Sequence, residues 1–268
     1  MPYAQVNGIR LYFESHGEGE TIVFLHGRGG NHLSWWQQIS FFKTGFRCVA
    51  IDHREFGFSR EAKDGPGRAA FADDLKGLLD NLQVEKAFLV GQSMGGGTAL
   101  SFAVRFPTRV HAVVLADTSG GIVAEEILAD FRSRVRSLPQ DASVRALSAA
   151  FRERDPDRAF LYREISLLSA PVRETFEQYL LSEDGPAPAE LARYHIPTLI
   201  VVGSDDIVVT PAVAAMAQRY LDGSRLEVVR GAGHSAYFEM PDSFNQLVAD
   251  FIRECKNHSS ASSTPAAR

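Results

Sequence analysis

The sequence predicts an α/β protein: a mostly parallel central sheet with helices on both faces and a helical segment inserted between two of its strands. Three observations carry that expectation. Short β-branched runs recur along the chain, amphipathic stretches with helical spacing separate them, and one long stretch beyond residue 120 lacks any strand-like run. A strand covered on both faces reads as a continuous apolar run, whereas a half-exposed strand alternates.

Residues 9–15 alternate, and Asn7-Gly8 before them is a turn pair, so the chain is expected to open with an antiparallel hairpin at one sheet edge. Thr21–Leu25, Arg47–Ile51, residues 87–90, Val110–Ala116 and residues 198–202 are nearly continuous apolar runs, as buried parallel strands require. Arg225–Val229 is also strand-like. Helical patterns fall at 68–81, with Phe71, Leu75, Leu78, Leu79 and Leu82 on one face, and at 94–106, 211–220 and 242–254. From 121 to 196 only helical patterning is found, broken by Pro139, Pro156, Pro171, Pro186 and Pro188 and rich in arginine, including Arg132, Arg134, Arg136, Arg145, Arg152 and Arg154. The expected organisation is a core from 1–120 and 197–255, with about four short helices inserted over 121–196. A disordered tail of small polar residues is expected over 256–268. The insertion reads either as a solvated decoration or as a lid; its place after a strand's carboxyl end favours the lid.

Composition narrows the function. The chain has 268 residues, 45% hydrophobic and 23% charged, which excludes a disordered or collagen-like polymer. Its net charge of −5 and lack of a basic block remove the electrostatic case for nucleic acid. Cys48 and Cys255 make no disulfide framework and read as reduced thiols. The first residues lack a secretory pattern, and the longest apolar runs are strand-length, so neither export nor a membrane span is expected. These bounds fit a cytoplasmic small-molecule enzyme, and equally a small-molecule receptor.

Chemistry concentrates at strand ends. The run 87–90 leads into Gly91-Gln92-Ser93-Met94-Gly95, and a helical stretch follows. A serine on a sharp strand-to-helix turn is exposed for attack, and a helix N-terminus favours negative charge there. The alternative is a glycine-rich turn whose serine merely caps the helix. A serine hydroxyl needs a base. His234, in Gly231-Ala232-Gly233-His234-Ser235 between the last strand-like run and the last helix, is placed to reach the same sheet edge. His16, His32, His53, His111, His195 and His258 lack that placement. An acid must fix the base's tautomer. Asp206 follows a strand and is the first choice; its neighbour Asp205 and Asp117, which ends another strand, are the other credible sites. No metal or cofactor is implied, because no His/Cys cluster exists and the glycine-rich loops lack a Gly-Lys-Ser/Thr ending.

Four motifs in order, His26-Gly27-Arg28-Gly29-Gly30, Asp52-His53-Arg54-Glu55-Phe56-Gly57-Phe58-Ser59, the Ser93 turn and Gly233-His234 followed by Pro241, make the chain resemble the α/β-hydrolase superfamily from about residue 3 to 253. The resemblance implies the α/β-hydrolase fold and a nucleophile–acid–base order of Ser93, Asp206, His234. It implies an oxyanion hole from the backbone amides of Arg28 and Met94, and structural roles for His26 and Asp52. Two residues depart from common versions. Glu55 stands where relatives have glycine, so the loop either bends differently or points a carboxylate toward the lid; Arg28 places a cation beside the oxyanion site, reaching solvent or binding a substrate carboxylate.

Relatives that use aspartate at the elbow, the haloalkane dehalogenases and epoxide hydrolases, are excluded by Ser93. Residues 90–100 also resemble carbon–carbon bond hydrolases of dienoate ring-fission products, but those relatives carry Trp after the histidine where this chain has Ser235. Cofactor-free perhydrolases are similar too. The expected activity is therefore that of a serine esterase or lactonase acting on a small, fairly apolar ester or lactone. A carbon–carbon hydrolase, a perhydrolase-like relative and a non-enzymatic receptor are the alternatives. Trp35, Trp36 and Phe131 are the candidate pocket residues, with Phe151, Phe160, Leu167 and Leu168 as further wall positions.

Overall fold

A computed structural model describes residues 2–61, 64–169 and 174–262, the last four in backbone only. Asn7 and Gly8 both take positive φ, 44° and 80°, which is what a two-residue type I′ turn demands. That turn pairs β1 (Tyr3–Val6) with β2 (Ile9–His16) antiparallel. The sheet continues through β3 (Thr21–Leu25), β4 (Arg47–Ile51), β5 (Ala87–Gln92), β6 (Val110–Ala116), β7 (Thr198–Gly203) and β8 (Arg225–Val229). Its order is β1-β2-β4-β3-β5-β6-β7-β8 over eight strands, parallel from β4 onward, with β2 antiparallel to β4.

The continuous apolar runs are explained by two packed faces. Along β3, Val23 and Leu25 point into one core cluster while Ile22 and Phe24 point into the other. The helices α1 (Trp36–Phe42), α2 (Phe71–Asn81) and α3 (Met94–Arg105) cover the first half of the sheet. Leu75, Leu78 and Leu79 of α2 and Ala99, Leu100 and Phe102 of α3 fill the first cluster. Phe42 of α1 enters the second.

Among the described residues, six α-helices lie between β6 and β7 where about four are expected: α4 (Glu125–Arg134), α5 (Ala142–Ala146), α6 (Ala149–Arg154), α7 (Pro156–Leu167), α8 (Phe176–Leu180) and α9 (Pro188–Leu191). The difference has a capping origin. Asp141, Ser148, Asp155 and Thr175 each accept a backbone N–H at a helix start, so polar caps divide the stretch. Pro156 and Pro188 open α7 and α9 rather than breaking them. Pro171 lies outside the described residues.

After the insertion come α10 (Pro211–Gln218), α11 (Ala236–Glu239) and α12 (Pro241–Ser262). Phe244, Val248, Phe251 and Ile252 of α12 complete the second cluster. The expected loose tail does not begin at 256, because α12 runs to Ser262. Lys256 ties that extension down by pairing with Glu20 and lying over the Phe46 ring. Residues 263–268 fall outside the described residues. Among the described residues, no helix is long and apolar enough to cross a membrane.

Candidate active site

β5 ends at Gln92 and α3 begins at Met94, leaving Ser93 alone in the turn with φ 50° and ψ −112°. A non-glycine residue is rarely found there, so the surroundings must enforce it. Two glycines make the crowding possible. A Cβ on Gly91 would lie 2.3 Å from the Gly95 carbonyl oxygen, and one on Gly95 would lie 2.0 Å from the Leu25 carbonyl oxygen. The start of α3 is thereby pressed against the end of β3. The Ser93 amide donates to the Ala116 carbonyl (2.9 Å), and Thr118 Oγ1 donates to the Ser93 carbonyl (2.8 Å), fixing the turn from the β6 side.

Ser93, His234 and Asp206 are brought into one hydrogen-bonded line. Ser93 Oγ lies 3.0 Å from His234 Nε2, and His234 Nδ1 lies 2.8 Å from Asp206 Oδ2. The other carboxylate oxygen, Asp206 Oδ1, accepts the amides of Val208 (2.7 Å) and Val209 (2.9 Å), so the acid is held by its own loop. Gln92 Nε2 donates to the His234 carbonyl at 2.7 Å, coupling His234 to the strand that leads into Ser93. Burial disfavours charge on His234, but the charge of Asp206 and its hydrogen bond outweigh that and raise the imidazole pKa.

Of the two other candidate acids, Asp205 is exposed and accepts the Ser204 hydroxyl. Asp117 is buried, with its oxygens accepting the amides of Gly203 (3.0 Å) and Ala236 (2.9 Å). It straddles the acid strand and the histidine loop. Burial first, and then the charge of Asp206, push its pKa well above the usual carboxylate range.

Met94 is the first residue of α3, so its amide lacks an intrahelical partner. Among the described residues neither that amide nor the Arg28 amide has a hydrogen-bond acceptor. The Arg28 guanidinium is half-buried and donates to the Glu174 carbonyl. His26 Nε2 accepts the His53 amide at 3.0 Å while Nδ1 meets the Gly27 carbonyl at 2.8 Å, and burial lowers the pKa of this ring to about 4. Asp52 accepts the amides of His32 and Phe58, each at 2.7 Å. Both residues fasten loops beside the serine. Glu55 takes φ 73°, the left-handed conformation that glycine adopts most readily.

Two cavities open onto Ser93. The larger, about 180 Å³, is lined by Met94, Ile122, Leu128, Phe131, Tyr179 and Leu180 among others. The smaller, about 60 Å³, is lined by His234, Arg28, Arg145, Tyr162, Phe176 and Val208 among others. Phe131 thus lines the larger of these cavities, whereas neither tryptophan lines either one. Trp35 is fully buried between Phe24 (5.2 Å) and Tyr237 (4.5 Å), and Trp36 is exposed at the start of α1. A turn of 3₁₀ helix gives way to α-helix between them, and successive side chains on a helix point about 100° apart, so one ring can be core while its neighbour is exposed. Phe151 is likewise core, whereas Phe160, Leu167 and Leu168 face solvent.

Sequence reasoning missed Tyr179, whose hydroxyl lies 3.4 Å from Ser93 Oγ, together with Tyr162 and Arg145. All three sit on inserted helices whose inward face is set by docking, and no local pattern marks them.

A profile of the family described as alpha/beta hydrolase fold matches residues 20–241, and the chain belongs to that family. It is 30% identical to a 2-hydroxymuconate semialdehyde hydrolase of Pseudomonas sp. (strain CF600), covering 92% of each chain. Among solved structures it is similar to the enol-lactonase from Burkholderia xenovorans LB400, with TM-score 0.77, 25% identity, and coverage of 94% of this chain and 100% of that one. An N-acyl homoserine lactone degrading enzyme is similar at TM-score 0.75 and 27% identity, with 93% and 100% covered.

Proposed function

We propose that the protein is a serine hydrolase that cleaves small carboxylic esters or lactones through an acyl-enzyme. The observation that carries this reading is the continuous line from Ser93 Oγ through His234 to Asp206. His234 takes the serine proton as Oγ attacks the carbonyl, and Asp206 stabilises the resulting imidazolium. The amides of Arg28 and Met94 receive the oxyanion; such donors are commonly worth about 2.7–4 kcal/mol each. His234 then protonates the leaving alkoxide, and water hydrolyses the acyl-enzyme with His234 again as base. The six inserted helices act as a lid that closes both cavities at Ser93.

A fluorophosphonate probe tests the nucleophile: it labels the parent protein, and Ser93→Ala abolishes labelling. Persistent labelling of that variant places the nucleophile elsewhere, and a parent that never labels favours a receptor on the same fold. A second reading, carbon–carbon bond hydrolysis of a dienoate, is favoured by the relative at 30% identity. Against it, Ser235 occupies the position after the histidine and donates to the Tyr162 hydroxyl. A panel of esters and lactones with one dienoate added separates the two.

A further inference from the structure

The smaller cavity at Ser93 carries more positive charge than ester hydrolysis requires. Arg28 enters it from the loop after β3, and Arg145 enters it from α5 of the insertion. Both are half-buried. Among the described residues, neither guanidinium has a carboxylate within salt-bridge distance. Arg28 donates to the Glu174 carbonyl, and Arg145 Nη1 donates to the carbonyls of Pro139 and Gln140, each at 2.6 Å. The Arg145 guanidinium also lies over the Phe176 ring, 4.4 Å from its centroid. The contrast with the larger cavity is direct, because there Arg68 is neutralised by Glu174 (3.0 Å) and Asp184 (3.3 Å).

Neutral carbonyls satisfy N–H groups but leave the charges uncompensated, and removing a guanidinium from water without an anion is unfavourable. Burial lowers the pKa of both arginines, and the charge of Arg28 adds to the effect on Arg145. Glu174 and Asp141 offset part of this from longer range. What restores the balance is a ligand anion. A guanidinium fork matches a carboxylate geometrically, and Tyr162 supplies a hydroxyl on the same wall.

We infer that the chamber formed by Arg28, Arg145 and Tyr162 beside Ser93 binds a free carboxylate on the substrate. This rests on the serine hydrolase reading and sharpens it: the substrate is an anionic ester or lactone, with its carboxylate a few bonds from the scissile carbonyl and its apolar part in the larger cavity.

The test compares monomethyl glutarate with dimethyl glutarate, a pair differing in one negative charge. Calorimetry on Ser93→Ala protein reads binding, and kcat/KM on Ser93 protein reads turnover. The monoester is expected to be preferred in both, and the preference is expected to fall about 10-fold or more in Arg145→Met and in Arg28→Met, the range for a charge-assisted hydrogen bond. Arg145→Lys, which keeps the charge but not the fork, recovers part of it. Arg28→Met keeps the test open should Arg145→Met fail to fold, since Arg28 holds a single backbone carbonyl. Equal binding of the two esters by Ser93→Ala protein with both arginines intact, or a preference unchanged in both methionine variants, overturns the inference while leaving the serine hydrolase intact. Turnover of neither ester together with no fluorophosphonate labelling at Ser93, with arginine-dependent binding retained, instead removes the hydrolase reading and keeps the carboxylate chamber.

Discussion

Asp117 and Asp206 follow the carboxyl ends of the adjacent strands β6 and β7, both buried, and their environments give them different work. Asp206 meets the imidazole N–H, whereas both oxygens of Asp117 are taken by backbone amides. Asp206→Asn is therefore expected to lower kcat by about 10⁴-fold, because the amide favours the wrong histidine tautomer. Asp117→Asn places an NH₂ against a backbone donor, so its main effect is on stability, read as a shift in the denaturation midpoint. A larger kcat loss in Asp117→Asn than in Asp206→Asn overturns the assignment.

The acid limb of the pH–rate profile follows from the raised pKa of His234. In the proposed mechanism the neutral ring is the base, so activity is expected to be lost as pH falls through a value above the ordinary 6.5. In Asp206→Asn the limb moves to lower pH, since the carboxylate raises the pKa. A profile flat from about pH 5 to 8 contradicts this. At this scale the site was legible where a residue type is forced. Gly91, Ser93, Gly95 and His234 announce themselves through turn chemistry at strand ends. Arg145, Tyr162 and Tyr179 do not, because an arginine or tyrosine on an inserted helix looks the same whichever way the helix docks.

The insertion is tied to both loops that complete the hydrogen-bonded line. Arg134 of α4 donates to the carbonyls of Ile207 (2.7 Å) and Val208 (2.8 Å), next to Asp206. Glu239 of α11 accepts the Gly233 amide (2.9 Å) and the Ser148 hydroxyl (2.6 Å), linking the residue before His234 to the start of α6. Glu239→Ala strands those buried donors and is expected to cost about 2–4 kcal/mol in chemical denaturation. It is also expected to lower kcat, because the His234 loop is loosened. Unchanged stability argues against this role. The strands of the sheet were readable because burial on two faces leaves an unbroken apolar run. The number of inserted helices is not legible in the sequence, because short caps such as Asp141 and Ser148 divide them and such residues are equally common in loops.

For the molecule as a whole, the insertion shares both cores rather than building its own. Ile127, Phe131 and Leu180 join the cluster under α2 and α3, while Leu147, Phe151 and Ile165 join the one under α12. One cooperative unfolding transition is therefore expected, with calorimetric and van't Hoff enthalpies in agreement. A separate early melt of the inserted helices is the outcome that contradicts it.

Two kinds of crowding surround the Ser93 turn, and they differ in what a genetic screen can repair. A methyl on Gly95 collides with the Leu25 main chain, which no second substitution can trim away. A methyl on Gly27 collides with the far end of the Gln92 side chain, 1.9 Å away, which can be shortened. Gly95→Ala should yield revertants only, whereas Gly27→Ala should yield second-site suppressors at Gln92, at the cost of its bond to the His234 carbonyl.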